Sequence, residues 1–236
     1  MLALGLLGTG VPANANTREC ILLGMLGGPL PAECTNAEKT AGDQAGPALN
    51  ATRPAFVSIS GLIRFADQSG IADSASVLTR NPLGVSFLLN TSDLEPDHAY
   101  TVWWVIFNAP QLCTGEAGSC TEDDLFNNPD VNASVVHATG AVSDFTGRAR
   151  FSGRLFANGS AAGEVLFGPA LVNPDAEIHL VVRSHGPVGP LLDEGLLEEA
   201  LSTFGGGCIV RDEEGDVIPG TGPNECADVQ FAMHRP

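Results

Sequence analysis

The stretch HAYTVWWVIFN, His98 to Asn108, decides the fold class. It is aromatic and β-branched almost throughout and apolar at both odd and even positions. That pattern reads as a strand buried on both faces and lying centrally in its sheet. Neighbouring side chains of a strand point to opposite sides, so Trp103 and Trp104 must separate. One enters the core and the other lies beneath a covering loop.

Around this strand, further segments alternate. PAFVSISGLIRF (54–65) places Val57, Ile59, Ile63 and Phe65 on one face, and GVSFLLNTS (84–92) follows it. ASVVHATGAV (133–142) and GRARFSGRLF (147–156) read as a hairpin whose polar connector ends at Gly147. EIHLVVRSHGP, Glu177 to Pro187, sets Ile178, Leu180 and Val182 on one parity and Glu177, His179, Arg183 and His185 on the other. The titratable parity reads as the wet side of a sheet. ADVQFAMH (227–234) completes the set.

One segment has helical spacing, PLLDEGLLEEALSTF (190–204), with leucines on one side, acids on the other and GGG after it. Strands joined by turns, without alternating helices, predict an all-β fold. The expected architecture is an antiparallel β-sandwich, Greek-key-like, of about seven to nine strands, with one short helix and local disulfides. It occupies residues 54–236.

The chain has 236 residues, 28 acids against 11 bases, and a net charge of -17. A polyanion repels phosphate backbones and anionic lipid, so nucleic acid is excluded as a partner. No run approaches the ~20 apolar residues of a membrane-spanning helix. The six cysteines order into three local pairs, Cys20–Cys34, Cys113–Cys120 and Cys208–Cys226, without any C-x-x-C motif. An even count of this kind points to structural bridges in an oxidising compartment. MLALGLLGTGVPANA (1–15) reads as a signal-peptide remnant with a small-x-small cleavage site at Ala13–Ala15. Residues 16–53 read as a disulfide-closed extension and linker. Export to the periplasm or the extracellular space is the expectation. Four N-x-S/T sequons, at Asn50, Asn90, Asn132 and Asn158, are read as coincidence, since the composition looks bacterial.

Five histidines are present, and exported β proteins can use strand histidines for copper or zinc. His179 and His185 are six apart, about 20 Å along an extended strand, so they cannot share an ion unless the chain folds back. A metal site would instead combine His179 with His234, His98 or His137, and Glu177 would add an oxygen. The alternative is a turn histidine at His98 and a hydrogen-bonded core histidine at His137. The acidic runs TEDDLFNNPD (121–130) and RDEEGDVIPG (211–220) lack EF-hand spacing and read as solvated loops, with a weak calcium site as the sharper option. No G-x-S-x-G elbow is present, and adjacent Ser184 and His185 point apart.

The passage ATGAVSDFTGRARFSGRL (138–155), followed by a histidine-bearing strand and HGPVGP, resembles the central part of chordin-type (CHRD) domains. The resemblance implies an exported antiparallel β-sandwich. The tight His-x-His element of that family is replaced here by His179 and His185, so no ligand role is carried over. HAYTVWWVIFN with ECADVQFAMH is similar to exported bacterial β-sandwich proteins more broadly. The functional expectation is an exported, acidic, disulfide-braced structural or interaction module whose partners are other proteins or copies of itself. A histidine-based copper or zinc protein is the alternative, and a hydrolytic enzyme of unknown class comes third.

Overall fold

The computed structural model describes residues 55–236. The expected leader, the 16–53 extension and the Cys20–Cys34 bridge lie outside the described residues. Among the described residues nine strands form: β1 Phe56–Arg64, β2 Gly70–Asn81, β3 Gly84–Thr91, β4 His98–Phe107, β5 Ala133–Val142, β6 Ala149–Phe156, β7 Val165–Phe167, β8 Glu177–Pro187 and β9 Ala227–His234. They hydrogen-bond in the order β6-β3-β2-β1-β9-β8-β4-β5-β7, and all the pairings are antiparallel.

The all-β antiparallel class is as the alternation implies. The layering is one continuous sheet that curls into a half-barrel. Its concave face gathers Leu62, Leu78, Phe87, Leu89, Trp104, Phe151, Leu155, Ile178 and Leu180 into a single core. Phe87 of β3 meets Trp104 of β4 edge-to-face at 4.8 Å although the two strands are not neighbours, so the curl closes on its own side chains. Gly153 of β6 makes room for this packing, since a Cβ there would lie 2.6 Å from the Phe87 ring. The expected β5–β6 hairpin does not pair: β6 bonds to β3, and β5 to β4 and β7. The turn between them, closed by Asp144 N donating to Arg148 O, instead carries the chain from one end of the strip to β6 at the other, because the curl brings those ends together.

The convex face is covered at β4 and β8. Trp103, Val105, Phe107 and Val181 pack there against Cys120, Leu125, Phe126 and Val131 from the β4–β5 connection. The two tryptophans separate as strand geometry requires. The covering segment carries helix α1, Glu122–Asn127, and the Cys113–Cys120 bridge.

Further sequence expectations change. The 190–204 helix is two pieces, α2 Val188–Asp193 and α3 Leu197–Ala200. They are separated at Gly195, whose φ is +72°. Besides the short β7, the sequence reading lacks strand β2, the longest in the sheet. Its inward positions carry Ser74, Ser76 and Arg80 as well as Ile71 and Leu78, which breaks the apolar alternation.

Candidate functional site

The titratable parity of β8 is not wet. Glu177 is 1 %, Arg183 3 % and His185 0 % exposed, and this corrects the expected solvated face. Each charge is held by a specific partner under the covering segments. Glu177 Oε1 accepts from Cys120 N at 3.1 Å and meets His179 Nε2 at 2.8 Å. The Arg183 guanidinium donates to Asp228 at 2.9 Å and lies 3.9 Å over the Phe204 ring. Burial raises the Asp228 carboxyl above its ordinary value, and Arg183 acts against that shift.

Of the expected metal ligands Glu177 and His179 meet, and His234, His98 and His137 stand apart from them. His179 packs on Phe107 at the convex face. His234 lies on the concave face, with Nδ1 2.9 Å from Ser58 Oγ and Nε2 2.9 Å from Ser76 Oγ. His137 Nε2 donates to Leu201 O at 3.2 Å, and its ring meets Trp103 edge-to-face at 5.3 Å. It is a hydrogen-bonded histidine, as the alternative to a metal ligand has it, and burial lowers its pKa. His98 sits half-buried at the start of β4, stacked with Tyr100 at 6.4 Å. Sheet geometry is the reason: His179 and His234 stand on opposite faces, and β4 and β5 hold His98 and His137 five register pairs apart.

Sequence spacing missed a different cluster. Among the described residues, His185, Cys208 and Cys226 have candidate ligand atoms all within 4.8 Å of one another. Cys208 and Cys226 are joined as a disulfide, as is the pair Cys113–Cys120. The signal was available in Gly186, whose φ of +80° turns the chain after His185 and brings Asn224 against it. Asn224 Nδ2 then donates to His185 O and Pro187 O, fixing the Cys208–Cys226 segment to the end of β8.

The first acidic run is a helix terminus, not a solvated loop. Asp124 is fully buried and accepts from Thr114 and Thr121, through backbone and hydroxyl groups alike, and from the Asn128 amide. Burial alone would raise its pKa, but these hydrogen bonds outweigh it and hold the carboxyl at about 2. With both oxygens engaged, Asp124 has no lone pair aimed at a calcium ion. In the second run, Arg211 bridges to Val217 and Asp212 Oδ1 accepts from Asp216 N, so it forms a small hairpin. An open cleft of about 370 Å³ lies at the β3–β6 mouth, lined by Asp73, Asn90, Ser92, Asp144, Arg148 and Arg150.

The feature that remains unpaired is on β1. Phe56 to Gly61 pair with β2 on one side, while β1 meets β9 only at Ile63↔Phe231 and Arg64↔Gln230. Among the described residues the other side of Phe56–Gly61 has no ladder partner. The sheet opens there, and side chains bridge the opening. His234 reaches Ser58 and Ser76, and Arg80 donates to His234 O at 2.8 Å and to Ala176 O at 2.6 Å. Val57, Ile59, Ile63 and Phe65 do share a face, but it is the convex one. Val57 is 52 %, Phe56 54 % and Ile59 74 % exposed. Val77 of β2 and Phe231 and Met233 of β9 extend this apolar face.

Comparisons with protein-family models, with curated proteins and with solved structures give no match to this chain.

Proposed function

We propose that this protein is an exported interaction module that associates with a second copy of itself through the open edge of β1. The observation that carries the reading is an uncharged, exposed, apolar strand that has one side unpaired among the described residues. Natural sheets ordinarily shorten, charge or cover such edges, because an unpaired row of amides and carbonyls templates another strand. Phe56 to Ile63 contain no charged residue. On a chain of net charge -17, that edge is a place where two copies can meet without opposing acids. Antiparallel pairing of two β1 strands is self-complementary and closes as a twofold dimer. It would continue the Val57 and Ile59 row across the contact. The two disulfides among the described residues are compatible with an oxidising, exported setting.

Sedimentation velocity over a wide concentration range tests this. The wild-type chain is expected to dimerise, and Ile59→Asp to remain monomeric with an unchanged circular-dichroism spectrum, since the side chain is exposed. A wild-type chain that stays monomeric at high concentration overturns the reading. If the Phe56–Gly61 amides of such a monomer were protected from hydrogen exchange, the chain's own residues would be the occupant.

A further inference from the structure

The end of β8 holds a second arrangement that self-association does not use. His185 Nδ1 lies 3.7 Å from Cys208 Sγ and 3.8 Å from Cys226 Sγ, almost equidistant from the bonded sulfurs. Its tautomer follows from its partners. Gly206 O, 2.8 Å from Nδ1, can only accept, so Nδ1 carries the proton. On the other side Nε2 is 2.8 Å from Thr101 Oγ1, which accepts from Trp103 Nε1 at 2.8 Å and donates its own proton to the ring. The imidazole is fully buried and clamped at both nitrogens, with its Nδ1 edge facing the bridge.

We propose that Cys208, Cys226 and His185 form a binding site for one thiophilic cation of the zinc type, closed while the bridge is intact and opened by its reduction. The chemistry balances with a dithiol or phosphine as reductant. Two electrons break the S–S bond, and each sulfur takes a proton while the reductant is oxidised. Metal binding then releases the two thiol protons as the sulfurs become thiolates. The ring proton moves from Nδ1 to Nε2, freeing Nδ1 as a ligand and leaving Nε2–H to donate to Thr101 Oγ1. A hydrogen bond of that kind orients a ligating histidine.

The distances suit the change. Tetrahedral zinc takes sulfur at about 2.3 Å and nitrogen at about 2.0 Å, so the sulfurs must part to roughly 3.7 Å. The Cα atoms are 5.4 Å apart, a span that side-chain rotation can adapt to without moving the strands. Two thiolates and an imidazole leave the fourth position to water or to the Gly206 carbonyl. The other described bridge supplies an internal contrast, since Cys113 and Cys120 belong to no such three-ligand group.

The full chain tests this, with Zn²⁺ itself as the probe in competition with a chromogenic chelator. In a Cys20→Ser, Cys34→Ser, Cys113→Ser, Cys120→Ser background only Cys208 and Cys226 remain. After phosphine reduction that protein is expected to bind one equivalent of zinc and, oxidised, none. His185→Gln should weaken binding by about 100-fold or more, the loss of a direct ligand exceeding the 10–100-fold seen for outer partners. Co²⁺ in place of Zn²⁺ should give a sulfur-to-cobalt charge-transfer band, which reports the two thiolates, and a tetrahedral visible absorption that shifts in His185→Gln, as it would not if the histidine were merely structural. Three results would each overturn the proposal: zinc affinity equal to that of Cys208→Ser, an octahedral cobalt spectrum, or loss of the β-sheet circular-dichroism signal on reduction.

Discussion

His234 shows at the scale of one residue why acid should loosen this fold. Burial, then repulsion from Arg80 and His179, lowers its pKa to about 4; burial also brings His185 to about 4. In the unfolded chain both would titrate near 6.5. Between those values the unfolded state binds more protons than the folded one, so stability rises with pH through this window and falls as pH drops from about 6.5 towards 4. Each histidine then withdraws about 2 kcal/mol by pH 5. Urea unfolding at pH 7 and pH 5 should show the loss, and His234→Gln should remove roughly half of it. Asp124 works in a lower window. Its pKa is depressed, so its contribution is complete above about pH 4 and disappears as pH falls towards 2. Asp124→Ala should cost on the order of 1–3 kcal/mol at pH 7, measured by the same titration. The residues of these networks were visible in the sequence. Their partners were not, because Ser58, Ser76 and His234 come from three strands whose adjacency depends on the whole topology.

At the scale of elements, strand positions are legible where the inward residues are apolar, as in β3, β4, β6 and β8, and in β9 from its outward Phe231 and Met233. β2 escaped because Ser76 and Arg80 face inward to serve His234 and the carbonyls at the ends of β8 and β9. The polarity of β8 was read correctly, but its surroundings were inverted. Alternation shows that two faces differ without showing which is covered, and here the convex face lies beneath the β4–β5 connection and the Cys208–Cys226 segment. The junction after β8 depends on Gly186. An added Cβ would meet Asn224 Cβ at 2.6 Å on a backbone at φ +80°, so Gly186→Ala should lose about 2–3 kcal/mol by chemical denaturation. Replacing Cys208 and Cys226 together by serine should cost about 3 kcal/mol, since their bridge closes a separation of 18 residues.

The whole molecule sets uniform charge against one uncharged edge. A net charge of -17 makes two copies repel at long range wherever they approach, and that repulsion is screened over about 30 Å at 0.01 M salt but about 8 Å at 0.15 M. A contact built on Val57, Ile59 and the free side of β1 makes no ion pair for salt to weaken, whereas its approach energy contains repulsion for salt to remove. The dimer should therefore tighten as sodium chloride rises from 0.01 to 0.3 M, by about tenfold if screening relieves ~1.4 kcal/mol. An association carried by salt bridges at the exposed Asp144, Arg148 and Arg150 of the β3–β6 cleft would weaken over the same range. Sedimentation equilibrium at three salt concentrations separates the two, and a dissociation constant that rises with salt would remove β1 as the meeting surface.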